Sequence, residues 1–405
     1  MKVYLSRPGA LSAAGTNIED IYRAVCNGDQ SGIKRVNTRG AKTFLAGHIT
    51  ENIHVHKNFC KDYALPEYAQ ETLYFKIAFA ALEQIKTSIE KAIAYFGANR
   101  IALCLGSCDN GSEASIAAHH FYFNAQEPNV FPVDYALKFQ SASFLAECIA
   151  HFYGIKGPVI TVETACASGA GAIIKGAEFI NAGFCDAVIA GGVDIASDIA
   201  LLGFASLGAI SDTISNPFSK NRNGITLGDG ACFFIMSKAP LSSEDKNKKI
   251  ALIGCGESAD AHHITGPKED GSGAASAMRV ALANAKIKSA EIEYINLHGT
   301  GTPLNDAMEA RAIETVFGKD PPPASSTKPM IGHTLGAAGA LEAAICYQAL
   351  NAKNALPVHC FDGVYDEKIP RLHFVEHGEK AEHICMSNSY AFGGCNTSLI
   401  LADCG

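Results

Sequence analysis

Charge is scarce in this chain. Asp, Glu, Lys and Arg make up 18 % of the 405 residues and hydrophobic residues 48 %, against roughly 25 % charged in a typical soluble domain. A large buried core follows, and a disordered chain does not. A basic surplus is absent too: the formal charge is −8, which argues against a general nucleic-acid binder, since phosphate recognition needs Lys and Arg gathered on one face. The 14 cysteines are scattered and form no CxxC pair, so a disulfide framework is excluded and reduced thiols are expected. No uninterrupted apolar run is long enough for a membrane span. Residues 187–210 contain Asp194 and Asp198, residues 331–350 contain His333 and Glu342, and the amino-terminal stretch is broken by Arg7 and Pro8. These absences predict a soluble, cytoplasmic protein without membrane insertion.

Several catalytic signatures are missing as well. There is no P-loop, intact GxGxxG, HExxH or GxSxG, which removes most support for nucleotide, dinucleotide, zincin and serine-hydrolase readings. The pairs His119–His120 and His262–His263 lack a third ligand at metal spacing, so no metal site is predicted from them.

What is present is glycine, 38 residues of it, clustered at the ends of apolar runs as punctuation between elements. Thr16 with Glu19 predicts a capping box for a helix closed by Gly28. Residues 136–153 predict a helix stopped at Gly154. Strands are predicted at 159–162, 186–190 (ending in Gly191 and Gly192), 231–237, 250–255, 292–297 and 397–402, with a helical pattern to about Ala182 after the first. Strands alternating with helices mean an α/β protein. The polar run Leu241–Lys249 is the candidate boundary between residues 1–245 and 246–405. Thr265–Gly273 and the proline-rich Lys319–Thr327 are predicted as surface excursions.

Three side chains stand out. Cys166 falls where a strand turns into a helix, and a sulfur at a helix N-terminus is favoured as thiolate. Ala165, Ala167 and Gly169 leave room beside it. An ordinary free cysteine is merely a small buried hydrophobe, so the setting, not the residue, carries the suspicion. His298 lies in HGTGTP directly after an apolar strand, at the carboxyl end where α/β proteins build their sites. His333 lies in IGHTLGAAG, and both histidines are flanked by glycine.

With these residues assembled, the chain resembles the β-ketoacyl-[acyl-carrier-protein] synthases, the elongating condensing enzymes. ETACASG (163–169), HGTGTP (298–303), KPMIGHTLGAAG (328–339) and NSYAFGGCN (388–396) carry the resemblance, supported by PFSKNRNGITLGDGA (217–231) and ADAHHIT (259–265). The resemblance implies a five-layered α/β thiolase fold of two similar halves, a dimer, and no cofactor. It implies an acyl carrier protein as partner, delivering acyl and malonyl groups on its phosphopantetheine arm. Cys166 matches the nucleophile, His298 and His333 the two histidines, and Lys328 the active-site lysine. The amides of Cys166 and Phe392 match the oxyanion hole, with Phe392 and Gly393 in the gating loop. Thr300 and Thr302 match positions that hold the pantetheine arm, and Phe204 and Asp109 fall near the acyl pocket. Asp306 and Glu309 match supporting positions, and Glu342 a buried glutamate that pairs with the lysine or holds a structural cation.

The chain departs from the pattern at Ala391 and Cys395, where glycine and threonine are usual. Asp109 stands where a small or aliphatic residue is usual, which implies a specialised chain, polar, unsaturated or aryl-primed. Gly208 stands where one branch carries a carrier-binding arginine. The alternatives are a non-catalytic chain-length-factor-type subunit of a heterodimer, against which the full Cys–His–His set argues, and a coenzyme A thiolase, against which His333 argues.

Overall fold

The computed structural model describes residues 2–40, 42–50, 53, 71–109, 111–124, 130–132, 135–241, 249–352 and 355–405. Most of the proposed boundary run, residues 242–248, lies outside them.

Largely continuous apolar runs, buried on both faces, form an 11-stranded sheet. In spatial order it comprises Ala324–Ser325, Tyr294–Asn296, Ile384–Tyr390, Cys395–Asp403, Ile250–Ala259, Val3–Leu5, Gly230–Ser237, Ala187–Asp194, Ile101–Gly106 and Val159–Val162. Gly9–Ser12 pairs beside Gly230–Ser237. The two ends of this order share one pattern. At one end three mutually parallel strands (159–162, 101–106, 187–194) meet an antiparallel strand, and at the other 324–325, 294–296 and 384–390 do the same.

Strand period sorts the side chains into separate cores. Ile101, Leu103 and Leu105 face an outer core with helices Leu73–Gln84 and Phe144–Tyr153, while Ala102 and Cys104 face a central core. On the far half Ile295, Met386 and Ile400 face a third core, with helix Ser272–Ala285. The layers therefore run helices, sheet, helices, sheet, helices. Helices Ser168–Asn181 and Ala338–Ala352 form the middle layer, and residues 338–350 are buried throughout. They cross at small residues: a Cβ on Gly169 would lie 2.7 Å from the Gly336 carbonyl oxygen, and one on Gly339 would lie 2.7 Å from Ala170. That close crossing brings two helix N-termini to one place in the molecule.

Local expectations hold with corrections. The first helix, Ile18–Asn27, is capped by Asn17, whose side chain accepts from the Asp20 amide, and closed by Gly28 at φ 67°. The cap is Asn17, not Thr16. The helix expected over 136–153 begins at Phe144, after a separate 3₁₀ turn at Leu137–Gln140. Gly191 and Gly192 do not end their strand but lie inside Ala187–Asp194, because a Cβ at 191 would lie 1.9 Å from the Cys232 carbonyl oxygen of the neighbouring strand. Residues 324–327 are buried, and Ala324–Ser325 pairs with Ile295–Asn296, so the end of the proline-rich segment is core, not surface.

Candidate active site

The strand Val159–Val162 delivers the chain into a tight turn. Ala165 takes φ 48°, a left-handed value rare for a residue with a Cβ, and Ala165–Ala167 form a 3₁₀ turn that runs into helix Ser168–Asn181. The Ser168 hydroxyl ties the turn together, donating to the Ala165 carbonyl at 2.6 Å and accepting from the Thr164 amide at 2.9 Å. Cys166, at the tip, is 6 % exposed.

His333 Nε2 lies 3.1 Å from Cys166 Sγ. Its Nδ1 accepts from the Leu335 amide at 3.3 Å, so the neutral ring carries its proton on Nε2, pointed at the sulfur. His298 repeats the arrangement. Lys328 Nζ stands 3.4 Å from His298 Nδ1 and 2.6 Å from the His298 carbonyl oxygen, and an ammonium only donates, which again leaves the proton on Nε2. The rings meet edge to face at 5.4 Å. Burial holds both imidazoles well below the usual histidine range, with the Lys328 charge acting in the same direction. Both are neutral N–H donors at physiological pH.

Lys328 is itself buried and forms an ion pair with Glu342, which is wholly buried on the middle-layer helix. Burial pushes the Glu342 carboxyl up to about 7, against the pull of Lys328. The loop carrying His298 is held from below. Glu309 accepts from the amides of His298 (2.8 Å) and Gly299 (2.7 Å), and Asp306 accepts from those of Thr300 (3.1 Å), Gly301 (3.2 Å) and Phe218 (2.8 Å). Helical acids are ordinarily solvated, yet Asp306, Glu309 and Glu342 are all 0 % exposed.

The ligand atoms of Cys166, His298 and His333 lie within 4.8 Å of one another, a grouping a metal could also use. The 3.1 Å sulfur–nitrogen contact is shorter than the ~3.6 Å spanned by two ligands on a tetrahedral zinc, so it reads as a hydrogen bond. Sequence over the whole chain then decides the family. The β-ketoacyl synthase N-terminal domain model matches residues 9–240 and the C-terminal domain model residues 250–362. The chain belongs to the β-ketoacyl synthase family.

Among its relatives is 3-oxoacyl-[acyl-carrier-protein] synthase 2 of Vibrio cholerae, 32 % identical over 98 % of each chain. Among solved structures, a ketosynthase in complex with its chain length factor from Xenorhabdus doucetiae is 36 % identical with TM-score 0.88, covering 99 % of this chain and 98 % of that one. The ishigamide ketosynthase/chain length factor is 28 % identical with TM-score 0.87, covering 100 % of this chain and 99 % of that one. The five layers described above are the thiolase fold of these synthases.

Two cavities meet at this β-ketoacyl synthase site. One, of about 370 Å³, includes Cys166, His298, Thr300, Thr302 and His333 in its wall. The hydroxyls of Thr300 and Thr302 lie 3.0 Å apart. The other, of about 1080 Å³, runs from Cys166 past Asp109 to helix Ser112–Asn124. Phe204 and Phe392, with ring centroids 5.9 Å apart, line both cavities. Gly393 and Gly394 follow at φ 85° and 78°. Among the described residues, no carbonyl accepts from the amide of Cys166 or of Phe392.

Two influences oppose each other at the sulfur: the helix N-terminus favours the thiolate, while burial pushes the Cys166 thiol up to about 12, with Lys328 and its own amide offsetting part of this. One supporting residue was missed. Asp194, fully buried at the end of strand Ala187–Asp194, accepts from the Ser107 hydroxyl (2.8 Å) and from the amides of Cys108 (2.9 Å), Asp109 (2.8 Å) and Gly336 (2.5 Å). It joins the wall of the larger cavity to the turn after His333. Its only trace in the sequence is an acid ending an otherwise apolar strand. Two buried oxygens, Asn296 Oδ1 and Glu342 Oε2, have no hydrogen-bond partner among the described residues, and such hard oxygen donors fit a structural cation.

Among the described residues no helix is long and apolar enough to cross a membrane.

Proposed function

We propose that this chain catalyses the decarboxylative condensation of a malonyl thioester with an acyl group held on Cys166, both delivered by an acyl carrier protein, in fatty acid or polyketide assembly. The observation that carries this reading is the matched pair of imidazoles. With both Nδ1 atoms engaged as acceptors, both Nε2–H groups remain as neutral donors beside one sulfur.

In the first half-reaction Cys166 sulfur attacks the acyl thioester carbonyl. The oxygen becomes an oxyanion facing the amides of Cys166 and Phe392, the bond to the pantetheine sulfur breaks, and the proton lost by the thiol leaves with that sulfur. In the second, the malonyl carboxylate leaves as carbon dioxide and its electron pair forms an enolate. The enolate oxygen takes hydrogen bonds from His298 Nε2–H and His333 Nε2–H, a stabilisation absent from the ground state. The enolate carbon attacks the acyl carbonyl, and collapse of the tetrahedral oxyanion expels Cys166 as a thiolate, which takes a proton from water to restore the thiol.

Lys328 is a positioning residue: its ammonium fixes the His298 tautomer and opposes protonation of both rings, and Glu342 fixes Lys328. Glu342, whose Oε2 is buried without a hydrogen-bond partner among the described residues, would be a ligand of a structural cation, which would enter no step. Thr300 and Thr302 would bind the pantetheine arm in the smaller cavity. At its mouth Leu207 and Leu304 are 61 % and 57 % exposed, an apolar rim suited to a docked carrier. Phe392 gates the larger cavity, with Phe204 beside it.

Strand Val159–Val162 is half-buried and pairs along one edge only among the described residues. An apolar free edge invites a second strand, so we infer a dimer through it, with a copy of this chain or a related one. Residues 1–245 and 246–405 are the two halves we assign, each contributing one copy of the strand pattern. A non-catalytic chain-length-factor role is the second reading, raised by the complexes named in the neighbouring structures. The intact Cys166–His298–His333 set favours catalysis.

The test is to incubate the wild type and Cys166→Ala with acyl-carrier thioesters, then malonyl carrier, and to read intact masses. An acyl adduct on the wild type alone, discharged as product by malonyl carrier, is the expected result. No adduct with any acyl group would support the partner-subunit reading instead.

A further inference from the structure

Helix Ser112–Asn124 turns one stripe toward the larger cavity: Ser112, Ser115, Ile116, His119, His120 and Phe123. The steps of three, one, three, one and three residues are one helical face, extending about 16 Å at ~1.5 Å per residue. Four of these six side chains carry hydrogen-bonding groups, which an acyl chain lying along the stripe would strip of water.

Two positions on this wall are fixed acceptors. The Asp109 carboxylate takes the Ser112 amide on one oxygen at 2.8 Å and the Ser112 hydroxyl on the other at 2.5 Å. A carboxylate has about four acceptor sites, so lone pairs remain on both oxygens. His119 Nδ1 lies 2.7 Å from the Ser115 carbonyl oxygen and must donate to it, which leaves Nε2 of the neutral ring as an acceptor. The His119 ring stands edge-on to Phe131 at 5.4 Å, and Phe131 is stacked on Tyr135 at 5.0 Å and packed on Tyr122 at 4.7 Å. Ser112 and Ser115 are buried, whereas His119, His120 and Phe123 lie toward the exposed mouth.

We infer that this cavity selects acyl chains bearing a hydroxyl group over plain alkyl chains, the hydroxyl donating its one hydrogen bond to Asp109 or to His119 according to its position along the chain. The inference rests on the reading of Cys166 as the acyl acceptor. A hydroxyl restores the hydrogen bonds that entry into the cavity removes, and a methylene restores none. The expected discrimination is about tenfold in the rate of Cys166 acylation, the ratio that one satisfied hydrogen bond of ordinary net strength supplies.

The experiment compares acetyl, octanoyl and 8-hydroxyoctanoyl N-acetylcysteamine thioesters on the wild-type chain, following the Cys166 adduct by intact mass. The expected result is about tenfold faster acylation by the hydroxylated chain than by octanoyl. The ratio should fall to near one in the double variant Asp109→Leu/His119→Phe and in the single variant that removes the acceptor at the depth of the 8-hydroxyl, and be retained in His119→Gln, which keeps an acceptor. The ratio is read within each variant, so a general loss of activity does not imitate the effect. Equal wild-type rates, or a ratio that survives both His119→Phe and Asp109→Leu, would overturn the inference alone. Absence of any adduct, acetyl included, would overturn it together with the reading of Cys166.

Discussion

The molecule builds the same backbone device twice and gives the two copies different work. In one half Ala165 takes φ 48°, Ala165–Ala167 form a 3₁₀ turn, and the buried helix Ser168–Asn181 follows. In the other Leu335 takes φ 48°, Leu335–Ala337 form a 3₁₀ turn, and the buried helix Ala338–Ala352 follows. The residue after the left-handed position is Cys166 in one and Gly336 in the other. Cys166 presents a sulfur to two imidazoles. Gly336 presents only its amide to Asp194, and a Cβ there would lie 2.5 Å from Asp194 Oδ2 and 2.8 Å from Ser107 backbone. A twofold architecture thus supplies one reactive tip and one packed tip, and the packed one orients the residues around the first.

That division is open to direct attack. Cys166→Ala should abolish the acyl adduct while leaving stability within about 1 kcal/mol, since a small side chain is truncated beside a cavity. Gly336→Ala should do the reverse in kind, lowering unfolding stability by about 3 kcal/mol through overpacking against backbone and Asp194. Denaturant melts of the two variants decide the point, and a stable, active Gly336→Ala would dissolve the distinction between the tips.

The histidines come next in size. Removing one preorganised donor to a developing oxyanion lowers rates by about 10²–10³, so His298→Ala and His333→Ala should each slow carbon dioxide release from malonyl carrier by that factor. Acylation of Cys166, which uses the backbone amides, should suffer less. Equal losses in both half-reactions would mean that the imidazoles act on the sulfur and not on the enolate.

The state of the sulfur can be read from pH. Burial pushes the Cys166 thiol up to about 12, so its thiolate fraction rises about tenfold per pH unit between 7 and 9. Alkylation of Cys166 by iodoacetamide should follow that slope without a plateau. A plateau near neutrality would show the helix N-terminus outweighing burial, as the sequence alone led us to expect.

Asp194→Asn removes acceptor capacity from a group serving four donors, because one oxygen becomes an NH₂ facing N–H groups. The expected loss is about 1–3 kcal/mol, with slower acylation as the Cys108–Asp109 wall and the Gly336 turn drift apart. Unchanged stability and rate would remove Asp194 from the support of the site.

The contrast between Cys166 and Asp194 also shows what could be read in the chain before its structure. Cys166, His298 and His333 each sit among glycines and small residues within a few positions, so the local pattern exposes them. Asp194 acquires its donors from residues 85 to 142 positions away, and no local pattern encodes that. The same reason explains Gly191, which reads as punctuation along the chain but is dictated by the carbonyl of a neighbouring strand. It explains residues 324–327 too: the three prolines just before them suggest a surface loop, while burial comes from pairing with Tyr294–Asn296 and from the His298 loop above them. The layered fold was legible because strand and helix periods are local. The desolvation of the Cys166 thiol was not, because burial is a property of the whole assembly.

The smallest effects test the shared backbone itself. A left-handed residue with a Cβ costs about 1–2 kcal/mol relative to glycine, and replacement by glycine returns about 0.4–1 kcal/mol of that through the looser unfolded chain. Ala165→Gly should therefore raise stability by about 0.5 kcal/mol. Leu335 has the same φ but is 6 % exposed and belongs to the apolar cluster of Cys166, Ile225 and Leu227. Leu335→Gly forfeits that burial, about 2–3 kcal/mol, and should destabilise by about 2 kcal/mol net. Opposite signs in thermal melts would mean the two turns share their strain and differ in side-chain load. Stabilisation by both substitutions would mean that Leu335 contributes nothing to the wall behind the nucleophile, and that the packed tip is held by Asp194 alone.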